Sequence, residues 1–507
     1  MLITSTLRKS FSFVALASVL ALTSGCQQEE LLEDQFSSPV TNDGFSRSEV
    51  IEGQYIVVFK NSNTPVTSGK AGELSAINSS DLKMRRKLYA VSGIDAADVT
   101  QEYEGGIRGF AARLTPEQLA TLRKRSEVAY VEQDRHVFLG KASSVISTKA
   151  GDTTKGNNGK TRPAVADRPS GPTDSAPAPT EPVSTEPVKS APAPAEPVPA
   201  VPAPAEPTPT EPETAEPAPA APAPTEPAPV PSQPAPAVPT APTQPAFATI
   251  TPLAGELVPW NIERVGYGDG TGKTVWIIDS GIDTDHPDLN VDLNRSISLI
   301  YQNPSVEDGY GHGTSVAGII AAKNNGSGMV GVASNATIVA LRVFDDAGAG
   351  TLSRAINAVL HISNNARPGD VVNMSLGSGM STTLDNAVKA AAAKGILFAI
   401  AAGNSGVDCY ETSPARVDAP GVYTVSAIDN FNRLWERSNY GTSVDVAAPG
   451  VNVTVTTKGG SIGGGASGTS MAAPHVAGVL LLRGTVPSQG TITGDKDNTP
   501  DPIASVR

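Results

Sequence analysis

The sequence predicts an α/β protein built on a doubly wound, mostly parallel sheet, preceded by a small α+β domain of ferredoxin-like type. Three observations carry this expectation. From Trp260 onward, the runs TVWIID (274–279), TIVALRVF (337–344), VVNMSL (371–376), ILFAIAAG (396–403) and VYTVSAI (422–428) alternate with helical patterns. These runs are apolar at nearly every position, as expected of parallel strands covered on both faces. Between residues 163 and 246, proline recurs at every second or third position. Such a segment lacks the backbone donors for helix or sheet, so it divides two folded parts.

The order along the chain follows from composition. At 507 residues there is room for two or three domains, and the net charge of −13 argues against nucleic acid as the principal partner. Arg8 and Lys9 precede an apolar run from Phe11 to Leu22, then small residues and Cys26. This pattern predicts a signal peptide over 1–26. The run is shorter than the roughly 20 apolar residues of a membrane-spanning helix. The segment resembles a bacterial lipoprotein signal with Cys26 as the lipid-bearing residue, although Thr23 stands where an aliphatic side chain is usual. Cys409 is the only other cysteine, so a lipid on Cys26 leaves it without a disulfide partner.

Residues 27–50 are polar and acidic and predict a flexible tether. Residues 51–138 predict the small domain, with strands at QYIVVFK (54–60), GFAARL (109–114) and VAYVEQD (128–134). Between them, LTPEQLATLRKR predicts a helix capped by Thr115, with Pro116 in its first turn and Gln118 closing a capping box. A domain this small has a marginal core of its own. Residues 139–250 predict a disordered, proline-rich linker; its 163–246 stretch, at about 3.1 Å per residue, could reach on the order of 200 Å. The main domain is expected at 251–485 and a polar C-terminal tail at 486–507.

Four stretches carry residues suited to chemistry. Asp279 ends an apolar strand, where a half-buried carboxylate needs a donor; Asp283, Asp285 and Asp288 follow in a polar loop. His312 lies between two glycines at a helix start, whose partial positive charge should keep the ring neutral, as a general base must be. Ser470 opens another helix, which offers backbone N–H groups to a developing oxyanion. Asn404 sits in a glycine-flanked bend and offers an uncharged donor. Taken singly, each also has a purely structural reading: a turn-capping Asp, a loop His, an N-cap Ser, an Asn in a left-handed turn.

Taken together, DSGID, GHGTSVAGIIAA, NMSLG, AAGNSG and SGTSMAAPHVAG resemble, in this order, the subtilisin family of serine endopeptidases over roughly 255–485. PARVDAPGVYTVSA and SNYGTSVDVAAPG are similar to its proteinase-K-like branch, and 51–138 resembles the family's inhibitory propeptide. The resemblance implies an Asp279–His312–Ser470 triad with Asn404 in the oxyanion hole. Ser375, Leu376 and Gly377, with Gly348, Ala349 and Gly350, would form two edges that pair with an extended substrate. Residues 400–403 would form an apolar first pocket.

The same resemblance implies a structural calcium held by Asp445 and the carbonyls of Pro420 and Val422, and no cofactor for catalysis. Its partners would be protein or peptide substrates and its own propeptide. The membrane would be touched only through an N-terminal lipid, and the enzyme would act as a monomer, exported to the cell surface or beyond. A first cut is expected near Val137–Leu139. The sequence departs from the pattern where Ser443 replaces a frequent cysteine partner of Cys409, and where the long linker follows the propeptide. The rival reading is an inactive, protease-like binding protein displayed on a proline-rich stalk. A metallo-hydrolase lacks any HExxH spacing in the sequence.

Overall fold

The computed structural model describes residues 49–60, 71–139, 146–148 and 247–507. The expected signal peptide, with Cys26, and nearly all of the tether and proline-rich linker lie outside the described residues.

The N-terminal domain runs β1 (Val50–Phe59), α1 (Ala71–Ser92), β2 (Val99–Tyr103), β3 (Gly109–Arg113), α2 (Pro116–Arg123) and β4 (Val128–Phe138). Its antiparallel sheet has the order β4-β1-β3-β2. This is the ferredoxin-like α+β arrangement expected. Helix α2 starts as its sequence dictates. Gln118 N donates to Thr115 Oγ1 and Thr115 N donates to Gln118 Oε1, with Pro116 in the first turn.

Strand β1 alternates in facing. Val57 and Phe59 pack with Leu88, Phe110, Leu119 and Leu122. Ile56 and Val58 point the other way, into a cluster shared with the larger body. Both faces of this small sheet are therefore buried, one of them by the rest of the chain, which offsets the thin core of so short a domain.

The linker region contributes β5 (Ile146–Thr148). The larger body then runs α3 (Trp260–Val265), β6 (Gly268–Asp269), β7 (Thr274–Asp279), β8 (Ile297–Ser298), α4 (His312–Ala321), β9 (Ala333–Ser334), β10 (Thr337–Arg342) and β11 (Ala349–Thr351). It continues through α5 (Leu352–Asn365), β12 (Val371–Met374), β13 (Ser378–Gly379), α6 (Thr382–Ala392), β14 (Leu397–Ala401), β15 (Thr412–Ser413), β16 (Val422–Ile428) and β17 (Val446–Pro449). The last elements are β18 (Val453–Thr457), β19 (Ser461–Ala466), α7 (Thr469–Arg483), β20 (Ser488–Thr491) and β21 (Pro502–Ala504).

The main sheet has the order β8-β10-β7-β12-β14-β16-β17-β21-β20, parallel throughout except for the β20–β21 pair. Each of the five apolar runs supplies one strand. Val275 and Ile277 of β7 face residues of α4 and α7, whereas Trp276 and Ile278 face residues of α5 and α6. The sheet is thus wound on both sides, as its continuous apolar strands require. From β7 the chain passes to β8 and β10 on one side, and later to β12 on the other. The carboxyl end of β7 is therefore the point where strand order reverses, the usual place for a site in such a sheet.

Two expected segments are corrected. Residues 486–507 are not a polar tail: β21 joins the main sheet beside β17, and Ile492, Ile503, Ala504 and Val506 are buried. Val506 N also donates to Val265 O at 2.9 Å. These few apolar residues are buried by partners distant in sequence, which the polar composition concealed. The expected disordered linker, 139–250, is ordered at both ends. Strand β5 pairs with β19, while Phe247 and Ile250 pack against the core and Asp269 N bonds to Ala248 O. Among the described residues, no helix is long and apolar enough to cross a membrane.

Candidate active site

Strand β7 delivers Asp279, which is 1% exposed, to the crevice. Both of its carboxylate oxygens lie 2.9 Å from His312 Nδ1, and Oδ1 also accepts from Ser280 N at 2.7 Å. His312 is the first residue of α4. The flanking glycines have separate causes. Gly311 has φ 105°, in the left-handed region. A Cβ on Gly313 would lie 2.1 Å from Gly281 O, so only glycine lets the helix start approach the end of β7. Of the four aspartates in this region, only Asp279 reaches His312. Asp283 accepts from Gly459 N, Asp288 from Met329 N and Asn325 Nδ2, and Asp285 is exposed.

Burial alone would lower the pKa of His312, but the charge of Asp279, its hydrogen bond and the charge of Asp308 outweigh this and raise it. These carboxylates act against the helix start, whose partial positive charge disfavours the protonated ring.

Sequence reasoning missed Asp308. This buried carboxylate accepts from Ser280 Oγ (2.8 Å), Tyr310 N (3.1 Å), Gly311 N (2.6 Å), Thr314 N (2.9 Å) and Thr314 Oγ1 (2.6 Å). Ser280 Oγ in turn accepts from Gly313 N. The loop carrying His312 is wound around this one side chain. The available signal was an acid four residues ahead of the histidine, in EDGYGHGT.

Ser470 is the second residue of α7, after Gly468 with φ 147°. Its hydroxyl donates to Ser375 O at 3.2 Å and is directed there rather than at His312. Ser375 Oγ donates back to Ser470 O at 2.8 Å and accepts from Asn373 Nδ2 at 2.9 Å. Asn404 Oδ1 accepts from both the N–H and the hydroxyl of Thr469, each at 2.8 Å. Those two bonds orient the amide and leave Nδ2 for another acceptor. A Cβ built on Gly468 would lie 3.5 Å from Asn404 Nδ2 and 3.7 Å from Ser470 N, so both donors border one spot. His475, in the same helix, has a structural part. Nδ1 bonds to Met471 O, Nε2 to Asn261 Nδ2, and burial pushes its pKa down to about 4.

The expected edge at Gly348–Gly350 is occupied by the chain itself. Strand β4 pairs antiparallel with β11, His136 opposite Thr351, Val137 opposite Gly350 and Phe138 opposite Ala349. Leu139 N then donates to Gly348 O at 2.9 Å, and Tyr310 Oη lies 3.5 Å from Leu139 O. Val137 and Leu139 are buried. Among the described residues, nothing pairs with Ser375, Leu376 or Gly377 as a strand; Ser375 instead holds Ser470. Residues 400–403 are buried at the end of β14.

Carboxylates of the N-terminal domain meet two helix starts. Asp134 Oδ1 accepts from Ser353 N of α5 at 3.0 Å. Glu132 Oε2 accepts from the N–H and hydroxyl of Thr383, in the first turn of α6, at 3.2 and 2.6 Å. Each fills a backbone donor that a helix start leaves unpaired.

At the expected calcium position, Asp445 Oδ2 accepts from Thr424 N at 2.7 Å. Burial, and then nearby Asp418, push its pKa up to about 6 against that hydrogen bond. Val422 is buried and Pro420 exposed. Among the described residues, no three His, Cys, Asp or Glu side chains converge as a metal cluster, so most ligands here would be carbonyls or water. Cys409 is buried and carries a free thiol, whose pKa burial raises.

Residues 270–488 match the family model described as Subtilase family, and residues 54–140 match that of Peptidase inhibitor I9. The chain is 42% identical over 243 residues to an alkaline protease of Alkalihalobacillus alcalophilus, covering 46% of this chain and 61% of that protein. It is 42% identical over 233 residues to Subtilisin Savinase of Lederbergia lenta, covering 44% of this chain and 83% of that protein. A solved structure, of a cold adapted subtilisin-like serine proteinase, is 34% identical and covers 49% of this chain and 98% of that one, with a TM-score of 0.44. With 42% identity across most of the Lederbergia lenta protein, and an inhibitor domain matched ahead of it, the chain belongs to the subtilase family.

Proposed function

We propose that the chain is the precursor of a serine endopeptidase that cuts protein and peptide substrates and is held inhibited by its own N-terminal domain. One observation carries this reading. The tail of that domain lies as an extended strand on the Gly348–Gly350 edge and arrives at Tyr310, two residues from the Asp279–His312 pair. An extended chain held by its backbone at a cleft is how a peptidase holds its substrate.

In this reading Ser470 is the nucleophile, His312 the base and Asp279 the group that orients the ring. The Ser470 side chain turns from Ser375 O toward His312 Nε2, which takes its proton as Oγ attacks the scissile carbonyl. Asn404 Nδ2 and Ser470 N stabilise the oxyanion. His312 then gives the proton to the leaving amine, and water repeats the sequence on the acyl-enzyme. No cofactor enters these steps.

The first substrate is the precursor itself. Val137 and Leu139 both lie within the ladder, so the scissile bond falls just beyond it, within Leu139–Lys141. A calcium ion at Asp445, with the carbonyls of Pro420 and Val422, would offset a carboxylate that burial drives toward its protonated form. The precursor is exported as a lipoprotein through residues 1–26, touches the membrane only through Cys26, and acts as a monomer at the cell surface or beyond it. A serine-directed phosphonylating reagent tests the central reading. It should label Ser470 of the processed protein and nothing in Ser470→Ala; absence of labelling and of peptide hydrolysis would reject it.

A further inference from the structure

We infer that the outer edge of β19 is a second substrate-binding edge, on the opposite side of the scissile bond from β11, and that it takes unfolded polypeptide extending at least eight residues past the cut. This rests on the peptidase reading above. Strand β19 has β18 on one side; on the other it pairs antiparallel with β5, Ile146 opposite Gly464, Ser147 opposite Gly463 and Thr148 opposite Ile462.

Chain direction gives this pairing its meaning. The tail of β4 runs along β11 and reaches Gly348 O and Tyr310 with Leu139. Seven residues later the same chain lies on β19, the strand that leads through Gly468 into Ser470. Ile146 stands opposite Gly464, six residues before Ser470, and the segment then runs toward Ile462, away from the serine. The same polypeptide thus lies along β11 up to residue 139 and along β19 from residue 146. That is the course of a substrate cut midway, with its amino-terminal half on one edge and its carboxyl-terminal half on the other.

The edge also suits such a ligand. Gly463, Gly464 and Gly465 present backbone and no side chains, so recognition runs through main-chain hydrogen bonds with little side-chain preference. An uncovered strand edge readily accepts another strand, and in the precursor β5 covers it.

The test uses processed enzyme carrying Ile146→Pro, Ser147→Pro and Thr148→Pro, so that the segment its new amino terminus retains no longer pairs with β19, and quenched fluorescent peptides that copy the wild-type chain from residue 134 and end two, five, nine or twelve residues beyond the cut. We expect kcat/KM to rise about fivefold or more between five and nine residues, mainly through KM, with no further gain at twelve. Backbone N-methyl groups at the sixth to ninth positions should remove the gain where the methylated amide joins the ladder. A flat series, or a gain that survives methylation at every one of these positions, overturns the inference and leaves the peptidase reading standing; hydrolysis of no peptide overturns both. A readout independent of activity uses full-length Ser470→Ala. Adding Ile146→Pro, Ser147→Pro and Thr148→Pro should raise amide hydrogen exchange across 462–464 at least about tenfold. Unchanged exchange overturns the pairing.

Discussion

Val137 of the N-terminal domain lies opposite Gly350 of the catalytic body in an antiparallel ladder, and a side chain at position 350 has no room. A Cβ there would sit 2.7 Å from Phe344 Cδ1 and 3.1 Å from Val343 O. Gly350→Ala should therefore displace the edge, and with it any extended chain that docks there. If this edge holds substrate and transition state alike, as proposed, KM should rise about tenfold while kcat stays within about twofold. Steady-state kinetics on one peptide check this, and a fall confined to kcat would contradict it.

The catalytic assignment makes sharper demands. Ser470→Ala should abolish both peptide hydrolysis and self-cleavage. Asp279→Asn should leave the fold intact but cost several orders of magnitude in kcat, since the ring loses the partner that sets its tautomer. Asn404→Ala should cost about a hundredfold or more, the established size for loss of such a donor in subtilisin. Residual hydrolysis by purified Ser470→Ala, comparable to wild type, would refute the assignment.

The readable parts of this chain were those whose partners lie nearby or whose pattern needs no partner. Continuous apolar runs announced the buried parallel strands, and Thr115 to Gln118 announced a helix start through a contact three residues long. The order of Asp279, His312, Asn404 and Ser470 was visible because each stands in a distinctive glycine-rich setting. What stayed hidden depends on distant partners. Asp134 and Glu132 read as ordinary acids of a polar strand, yet their donors on Ser353 and Thr383 lie more than 200 residues away. Asp308 works through five donors arranged around it, including Ser280 on another segment, and no spacing in the sequence reports that. Ile503 and Val506 looked like strays in a polar end until the edge of the sheet buried them.

That same C-terminal segment carries a pH-dependent liability. Burial, and then Asp495, Asp497 and Asp445, push Asp501 up to about 7, against the hydrogen bond from Ser426. In the unfolded chain an aspartate titrates near about 3.9. The folded state thus holds this proton more tightly, and the group's contribution is most favourable below about 4. It is lost progressively as pH rises from there through about 7. Asp501→Asn keeps an acceptor for Ser426 Oγ and removes the titration. In the Ser470→Ala background it should raise Tm at pH 8 and give little advantage near pH 4.5. A Tm difference that does not grow with pH would exclude this origin.

Calcium should act on the neighbouring carboxylate. If a cation binds Asp445 in the folded chain and not in the unfolded one, it adds stability by mass action, and chelator should lower Tm. Asp445→Ala should abolish that sensitivity, and its Tm should match that of chelated wild type within a few degrees. Identical melting curves for the wild-type chain with calcium and with chelator would reject the site.

The order of segments sets the fate of the processed enzyme. The proposed lipid-bearing Cys26, the inhibitory domain, the proline-rich spacer and the catalytic body follow one another in the chain, and the expected cut within Leu139–Lys141 falls between the second and the third. Cleavage there leaves the lipid on the inhibitor fragment and the spacer on the enzyme. The β4–β11 ladder, Asp134 and Glu132 would still hold the two pieces together until the inhibitor lets go or is itself degraded. Fractionation of cells should therefore find wild-type catalytic domain in the soluble phase, beginning near residue 140 by N-terminal sequencing. Ser470→Ala should remain full length and membrane-bound, and Cys26→Ala should release even the uncut chain. An active enzyme that begins after the spacer, near residues 246–257, would move the cut to the far side of the proline-rich segment. One that still carries residue 26 on the same polypeptide would show that cleavage does not free the enzyme at all.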